Sequence, residues 1–248
     1  MEIVQLLPWD TDFFELKTGK LDLQNFDPVE LTLVLDRALK EGYELLYVTI
    51  PDELAIDDTS LKKWGGRLVD RRVDYKIEIG STEFKNAEPR SVEIHGTRIL
   101  ERPKSSADST LKYLAVIAGG QSRFVKDTRI DLPKAKRLFE IWIEKSAMGE
   151  NGETVFLATG NRNEVSGFAT ICLMGDCARI GLIAVNPENQ GQGVGKLLLA
   201  ALKDFALGQG IREIKVATQR DNIAANQLYS SANFVVDSSE KVYHFLLR

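Results

Sequence analysis

Hydrophobic residues recur at two different spacings through the second half of the chain. Within Lys196–Leu207 they repeat every three or four positions, which predicts a helix, and within Ile211–Thr218 they alternate, which predicts a strand. The same two spacings predict the other elements: strands Ser91–Leu100, Thr154–Thr159, Glu164–Met174, Arg179–Val185, Phe234–Val236 and Lys241–Leu247, and helices capped by Asp108, over Pro133–Lys145 and over Ile223–Ser231. Alternating strands and helices predict a mixed α/β (α+β) fold.

The first half of the chain carries a weaker version of this pattern. Asp27 and Pro28 open a predicted helix that runs to Lys40, and a predicted strand, Gly42–Ile50, follows it. The second half places a similar strand, Gly210–Thr218, after its own helix, at an offset of 210 − 42 = 168 residues. In the first half a short helix, Leu61–Trp64, and a strand, Leu68–Ile79, come next.

This likeness predicts that the first half is a degenerate half-copy of the second. A chance likeness between two helix–strand–helix–strand stretches is the alternative. A polar stretch, Ile79–Arg90, separates the halves, so we predict two domains, 1–85 and 91–248.

Composition and charge exclude several classes of protein. With 248 residues, 44% of them apolar, the chain is long enough to bury a core without a disulfide or metal staple. A net charge of −4 argues against binding nucleic acid through bulk positive charge. Runs of about 18 apolar residues are missing, and Met1–Gln5 lacks a basic leader, so we expect no membrane partner and a cytoplasmic location.

Cysteine and histidine are too few to indicate a structural metal. Zinc sites of that kind need about four closely spaced ligands, whereas the chain offers Cys172, Cys177, His95 and His244. We therefore expect reduced thiols and no metal. A Ser-His-Asp or Cys-His site stays open on spacing alone, although the G-x-S-x-G turn that carries many nucleophilic serines is missing.

The most informative stretch is Val185–Leu198, where a predicted strand leads into a predicted helix. Three glycines, Gly191, Gly193 and Gly195, alternate at the helix entrance. Glycine permits positive φ and lets the backbone approach a ligand closely. The amides at a helix entrance lie at the positive end of its dipole, so the stretch predicts a phosphate or pyrophosphate site.

Two common phosphate-binding patterns do not match this stretch. A P-loop would need glycine at Gln190 and serine or threonine at Leu197. A dinucleotide-binding fingerprint would need glycine or alanine at Lys196. What remains is Q-G-x-G-x-G after a V-x-P entry.

That pattern resembles motif A of the Gcn5-related N-acetyltransferase (GNAT) family. A second signature of the family, N-x-x-A-x-x-L-Y-x-x-x-G-F, is matched at Asn222, Ala225, Leu228, Tyr229 and Phe234, with Asn233 in place of glycine. The resemblance implies a GNAT fold with a mixed central sheet and two splayed parallel strands. It also implies acetyl-CoA as co-substrate and, at family level, a homodimer. A glycine-rich loop serving only as a turn is the alternative.

The resemblance assigns a role to each motif residue. The backbone of Ile183, Ala184 and Val185 would hold the pantetheine arm, and the amides of Gln190, Gly191, Gln192, Gly193, Val194, Gly195 and Lys196 would hold the pyrophosphate. Asn222 would contact the cofactor as well as cap a helix. Tyr229 would be the general acid, since a phenol is protonated at neutral pH and can donate to the leaving thiolate.

Further stretches resemble family members that acetylate a nucleotide-linked deoxyamino sugar. They are Gln121–Phe124, Trp142–Glu144, Ala178–Leu182 and Val216–Gln219. The resemblance implies a TDP-4-amino-4,6-dideoxyhexose acceptor, with Arg123 meeting its diphosphate and Phe124 packing on a sugar or base. Another small amine, a protein N-terminus and a non-catalytic acyl-CoA-binding module are the alternatives. The general base is undetermined, with Glu164 and Asp176 as candidates.

Overall fold

The computed structural model describes residues 3–24, 27–80, 96–150 and 152–247. In chain order its strands are β1 (Gln5–Leu6), β2 (Thr18–Asp22), β3 (Leu45–Pro51), β4 (Gly66–Glu78), β5 (Arg98–Glu101), β6 (Glu153–Thr159), β7 (Val165–Met174), β8 (Cys177–Val185), β9 (Glu213–Gln219) and β10 (Val235–Leu246). Its helices are α1 (Pro8–Phe14), α2 (Pro28–Lys40), α3 (Asp58–Lys63), α4 (Ser109–Ala118), α5 (Arg123–Lys126), α6 (Leu132–Met148), α7 (Val194–Gly208) and α8 (Ile223–Ser231).

These strands form one mixed sheet in the order β1-β2-β3-β10-β4-β9-β8-β7-β6-β5. On the β5–β9 part of the sheet, α7 and α8 pack against one face, and α4 and α6 against the other. A third cluster of buried residues joins α2 to β3 and β10. The predicted α/β (α+β) class with a mixed sheet is confirmed.

The two halves build the same unit and exchange their last strands. In the first half β2 and β3 are parallel, and in the second half β8 and β9 are parallel. The strand antiparallel to β3 is β10, and the strand antiparallel to β9 is β4. The exchanged strands pair with each other at the centre of the sheet. The degenerate half-unit is thus present, while the domain boundaries 1–85 and 91–248 stay a prediction.

Local signals predict most helix starts correctly. The carboxylate of Asp108 accepts from the amide of Leu111 at 2.9 Å and caps α4, and Asp27 caps α2 by accepting from Val29 at 2.8 Å. The hairpin between β6 and β7 turns at Gly160, whose amide donates to the Glu164 carbonyl at 2.9 Å.

Three predictions of secondary structure need correction. The two predicted closing strands are one strand, β10, because the polar residues between them pair with β4 through a bulge after Val236. Of the strand predicted over Ser91–Leu100, only residues from Arg98 onward form β5, and 91–95 lie outside the described residues. The segment around Arg123, for which the sequence analysis predicts no helix, forms a helical turn, α5. The sequence pattern also missed β1, α1 and β2.

Candidate active site

The parallel strands β8 and β9 separate halfway along their length. They pair from Cys177 with Glu213 as far as Ile180 with Val216. Beyond that point β8 stays paired with β7 up to Val185, while β9 stays paired with β4. The separation opens a gap through the sheet, which confirms the predicted splayed strands.

A bulge in β8 coincides with this separation. Between the pairs Ile171–Ile180 and Ala169–Ile183, β7 has one residue and β8 has two. An additional residue bends the strand and increases its local twist. The side chains of β8 also change face here, since Ile180 packs beneath α7 and α8 whereas Leu182 packs beneath α4 and α6.

A cavity of about 660 Å³ passes through the gap and reaches both faces of the sheet. On the side of α8 its lining includes Thr218, Asn222, Ala225 and Tyr229. On the side of α4 and α6 it includes Asp70, Arg72, Arg123, Phe124, Phe139, Trp142, Glu153, Cys172 and Arg179. We call the part on the side of α8 the thiol side, after the CoA thiolate that Tyr229 is predicted to protonate. We call the part on the side of α4 and α6 the acceptor side.

The glycines at the entrance of α7 have two different structural roles. Gly191 and Gly193 adopt positive φ of 76° and 84°, and nothing lies within 4 Å of a Cβ placed on either. Gly195 is helical, and a Cβ there would meet the side chain of Leu228 at 3.1 Å. The first two therefore shape an open loop, whereas the third lets α7 approach α8 closely.

The side chains of the two glutamines in this loop hydrogen-bond to nearby backbone carbonyls. The side-chain amide of Gln190 donates to the carbonyl of Val185 at 3.1 Å, and that of Gln192 donates to the carbonyl of Glu188 at 3.0 Å. The first amides of an α-helix have no partner within the helix. The backbone amides at the start of α7, up to Lys196, are consequently suited to an anion.

Asn222 is the N-cap of α8, and Tyr229 lies on that helix two turns further on. The carboxamide oxygen of Asn222 accepts from the amide of Ala225 at 3.2 Å, which confirms that it caps the helix. The ring of Tyr229 is only 2% exposed and lies 5.6 Å from the ring of Tyr75 and 5.8 Å from that of Phe234. Burial, and then the neighbouring Tyr75, raise the pKa of Tyr229 well above its ordinary value. Its phenol is therefore protonated at neutral pH.

Charged side chains on β4 and β8 line the acceptor side. Asp74 bridges Arg72 at 2.7 Å and Arg179 at 3.4 Å, which fixes both guanidinium groups at the sheet surface. Two buried polar atoms beside them, Oδ1 of Asp70 and Nε of Arg72, accept or donate no hydrogen bond among the described residues. Because buried polar groups are nearly always paired, these atoms indicate room for a polar ligand.

Arg123 and Phe124, on α5, lie where the two halves of the chain meet. The guanidinium carbon of Arg123 lies 4.3 Å from the ring centre of Tyr47, a residue of β3. Its Nε is buried without a hydrogen-bond partner among the described residues. The ring of Phe124 stacks on Phe14 at 5.5 Å. Both predicted acceptor residues thus line the cavity, together with side chains that the first half supplies.

Asp70 is an acidic group that the sequence analysis missed. Burial raises its pKa to about 6, although Lys126, 3.8 Å from its Oδ1, and Arg123 act in the opposite direction. The available signal was the alternation of charged residues at positions 70, 72 and 74 in a strand expected to be half-buried. Sequence alone could not show that this strand joins the other half.

The two acids suggested earlier as general bases lie elsewhere. Glu164 accepts from the amide of Arg162 at 2.9 Å within the β6–β7 hairpin, and Asp176 is exposed in the next turn. Neither lines the cavity. Both candidates are therefore wrong on position, since a base must lie within hydrogen-bond reach of the proton that it removes.

The described ranges contain neither a metal-binding cluster nor a membrane-spanning helix. No cluster of three His, Cys, Asp or Glu side chains there is arranged to hold a metal ion, and His95 falls outside those ranges. No helix within them has the length and apolar character needed to cross a bilayer. Cys172 lines the cavity, and neither Cys172 nor Cys177 is in a disulfide bond.

Comparison with known proteins shows which family the chain belongs to. Residues 123–234 match the acetyltransferase (GNAT) family. The chain is 30% identical to dTDP-fucosamine acetyltransferase of Escherichia coli O6:H1 over 95% of both chains. It is 27% identical over 124 residues to the spore coat polysaccharide biosynthesis protein SpsD of Bacillus subtilis, of whose length it covers 42%.

A solved structure extends the likeness to the fold. A tandem GNAT protein from the clavulanic acid biosynthesis pathway superposes with a TM-score of 0.54 at 14% identity, covering 92% of this chain and 74% of the other. That likeness concerns the fold alone. Together with the matched motifs and the splayed strands, these comparisons show that the chain belongs to the GNAT family and is an acetyl-CoA-dependent N-acetyltransferase.

Proposed function

We propose that this protein transfers the acetyl group of acetyl-CoA to the amine of a nucleotide-linked deoxyamino sugar, of the TDP-4-amino-4,6-dideoxyhexose class. The observation that carries the proposal is the cavity through the sheet, whose acceptor side combines three arginines with an aromatic wall. The whole-length relative that acetylates dTDP-fucosamine supports the same substrate class.

In this proposal, acetyl-CoA binds on the thiol side of the cavity. The loop amides from Gln190 to Lys196 hold its pyrophosphate, because they lie at the positive end of α7 and two glycines leave open space above them. The pantetheine arm then lies in the gap between β8 and β9, paired with the backbone of residues 183–185. Asn222 borders this path and contacts the cofactor.

The acceptor occupies the opposite side. Arg72, Arg123 and Arg179 supply positive charge for a diphosphate, since guanidinium groups match phosphate oxygens in pairs. Phe124, Phe139 and Trp142 also line this side and give apolar surface for a sugar ring or base. A 4,6-dideoxyhexose, which has a methyl group where other hexoses have a hydroxymethyl group, suits a wall of this kind.

The proposed mechanism names a donor and an acceptor for each proton that moves during the transfer. The ammonium group of the sugar loses a proton to the carboxylate of Asp70, directly or through water. The free amine attacks the thioester carbonyl, and a backbone amide of β8 donates to the oxyanion that forms. When the intermediate collapses, the C–S bond breaks and Tyr229 gives its proton to the departing thiolate. The extra proton on the attacking nitrogen leaves through water and returns to the Tyr229 phenolate, and Asp70 releases its proton to solvent.

The test is a free-CoA release assay with a panel of acceptors. TDP-linked 4-amino-4,6-dideoxyhexoses should release CoA faster than peptides, polyamines or free glucosamine. Replacing Arg123 with Ala should raise KM for the nucleotide sugar with little change in kcat. The matched control is Arg162→Ala, at an exposed arginine of the β6–β7 hairpin, which should leave both constants unchanged. A peptide or polyamine that outpaces every nucleotide sugar would overturn the substrate assignment.

A further inference from the structure

Glu153, at the start of β6, is a buried carboxylate with three hydrogen-bond donors. Its Oε2 accepts from the indole Nε1 of Trp142 at 3.1 Å and contacts the hydroxyl of Ser146, whose one proton goes either to this oxygen or to the carbonyl of Trp142 at 2.8 Å. Its Oε1 accepts from the hydroxyl of Thr170 at 3.2 Å. Only 8% of Glu153 is exposed, and the three side chains that contact its carboxylate, Trp142, Ser146 and Thr170, are uncharged. Neutral donors alone therefore hold this negative charge.

Thr170 connects that carboxylate to the bulge of β8. Its hydroxyl oxygen accepts from the backbone amide of Leu182 at 2.9 Å. A hydroxyl has one proton, and Thr170 directs it to Glu153. The lone pairs of the oxygen are then left for Leu182. The orientation of the hydroxyl, and hence the pairing of the bulge amide, is set by the carboxylate.

Gly181 shows how closely these groups surround the bulge. A Cβ on Gly181 would overlap the carboxylate of Glu153 and the hydroxyl of Thr170. The residue after this glycine is Leu182, and the strand next presents the backbone of Ile183. The hydrogen-bond chain thus acts on the part of β8 where it leaves β9.

From these contacts we propose that Glu153 and Thr170 are positioning residues that hold the β8 bulge in the shape that receives the acyl-pantetheine arm. The proposal rests on the proposed binding of that arm to β8. Burying a carboxylate without a cation costs free energy unless its oxygens accept hydrogen bonds. The geometry of this cluster is therefore constrained by its hydrogen bonds as well as by packing. Without Thr170 the Leu182 amide would be buried without a partner, and β8 would shift to satisfy it.

The decisive comparison is between Thr170→Val and Thr170→Ser. Valine keeps the shape of threonine and removes the hydroxyl, whereas serine keeps the hydroxyl. By isothermal titration, Thr170→Val should weaken acetyl-CoA binding about ten-fold or more, as the loss of a buried amide's partner implies. Thr170→Ser should stay within about three-fold of the wild type.

A second ligand separates positioning from general destabilisation. The ligand is adenosine 3′-phosphate 5′-diphosphate, which is the nucleotide end of CoA without the pantetheine arm. Its affinity should be the same in Thr170→Val and the wild type, because its proposed contacts lie at the glycine loop. Equal weakening of both ligands, or unchanged acetyl-CoA binding in a folded Thr170→Val, would overturn the proposal.

Two further variants keep the test decisive. If Thr170→Val does not fold, Glu153→Gln places an amide where three donors converge, and the same selective loss of acetyl-CoA affinity is expected. Gly193→Val should weaken both ligands. If the wild type itself binds no acetyl-CoA, the proposed function fails. If the wild type binds it and only Gly193→Val loses binding, the positioning role alone fails.

Discussion

The imidazole Nδ1 of His244 lies 2.9 Å from Oδ2 of Asp127, and both side chains are fully buried. Asp127 also receives two hydrogen bonds of 2.8 Å from Arg129. His244 belongs to β10 and Asp127 ends α5, so this contact ties the helix that carries Arg123 to the central strand. The acceptor side of the cavity is therefore anchored by a titratable pair.

That pair predicts a loss of stability in mild acid. Burial lowers the pKa of His244 to about 4, although Asp127 raises it, and Arg123 and Arg129 add to the lowering. Between the unfolded value near 6.5 and the folded value, the unfolded chain binds more protons, so stability falls as pH drops through this window. Urea unfolding at several pH values between about 7 and 4 measures the slope.

The matched variant for this prediction is His244→Asn. Its side-chain amide can donate to Asp127 from nearly the same position, and it does not titrate. Wild type and variant should differ in the slope of stability against pH, with the flatter slope in the variant. Parallel slopes would contradict the assignment of this pH dependence to His244.

Tyr229→Phe should separate catalysis from packing. The substitution removes one oxygen and keeps a ring that packs between Tyr75 and Phe234. General acid catalysis contributes about 10²–10⁴ in rate, so kcat should fall by roughly two orders of magnitude or more. Affinity for acetyl-CoA and the melting temperature should change little. A nearly normal kcat on a verified acceptor would mean that water or another group protonates the thiolate.

Gly193→Val should abolish stabilisation by acetyl-CoA. A ligand present at about 100 times its Kd stabilises a protein by about 2.7 kcal/mol, which a thermal shift detects. The control is Gly210→Val, since Gly210 has φ of 78° and open space around its Cα, as Gly193 has at 84°. Both variants bear a similar backbone strain, but only Gly193 lies in the loop. A full thermal shift in Gly193→Val would contradict the loop assignment.

Asp70→Asn should lower activity and raise stability. Burial raises the pKa of Asp70 to about 6, so kcat/KM of the wild type should rise with pH through that value, and the variant should lose this limb. Because the folded pKa exceeds the unfolded one, the ionised carboxylate destabilises the fold at pH 7. The variant should therefore resist urea better than the wild type. An unchanged pH–rate profile would remove Asp70 from the proton path.

Features that depend on neighbouring residues were predictable from the sequence. The caps at Asp108 and Asn222 follow from their position before an apolar helical pattern. The loop at Gly191 and Gly193 follows from spacing at a helix entrance. These signals were enough to predict the open glycine loop and a place for Tyr229 on the same helix as the Asn222 cap, while the roles of these residues stay predictions.

The acceptor side depends on contacts between distant parts of the chain. Tyr47 meets Arg123 although 76 residues separate them (123 − 47 = 76), and Asp70 reaches the cavity only because β4 pairs with β9. Periodicity shows that a strand has a polar face but not which strand lies beside it. Glu153 likewise reads as the first residue of a strand until its donors from α6 and β7 are known.

The exchange of β4 and β10 has a consequence for how the chain folds during synthesis. The first half is made early, yet the strand that completes its sheet begins at Val235, long after β4 ends at Glu78. A domain that completes its sheet within its own sequence can fold as it leaves the ribosome. Until β10 is synthesised, the edge of β3 that pairs with it stays unpaired, and an unpaired strand edge can pair with a wrong strand. A nascent chain released before Val235 should therefore depend on chaperones, and the two halves expressed as separate polypeptides should become active only when mixed.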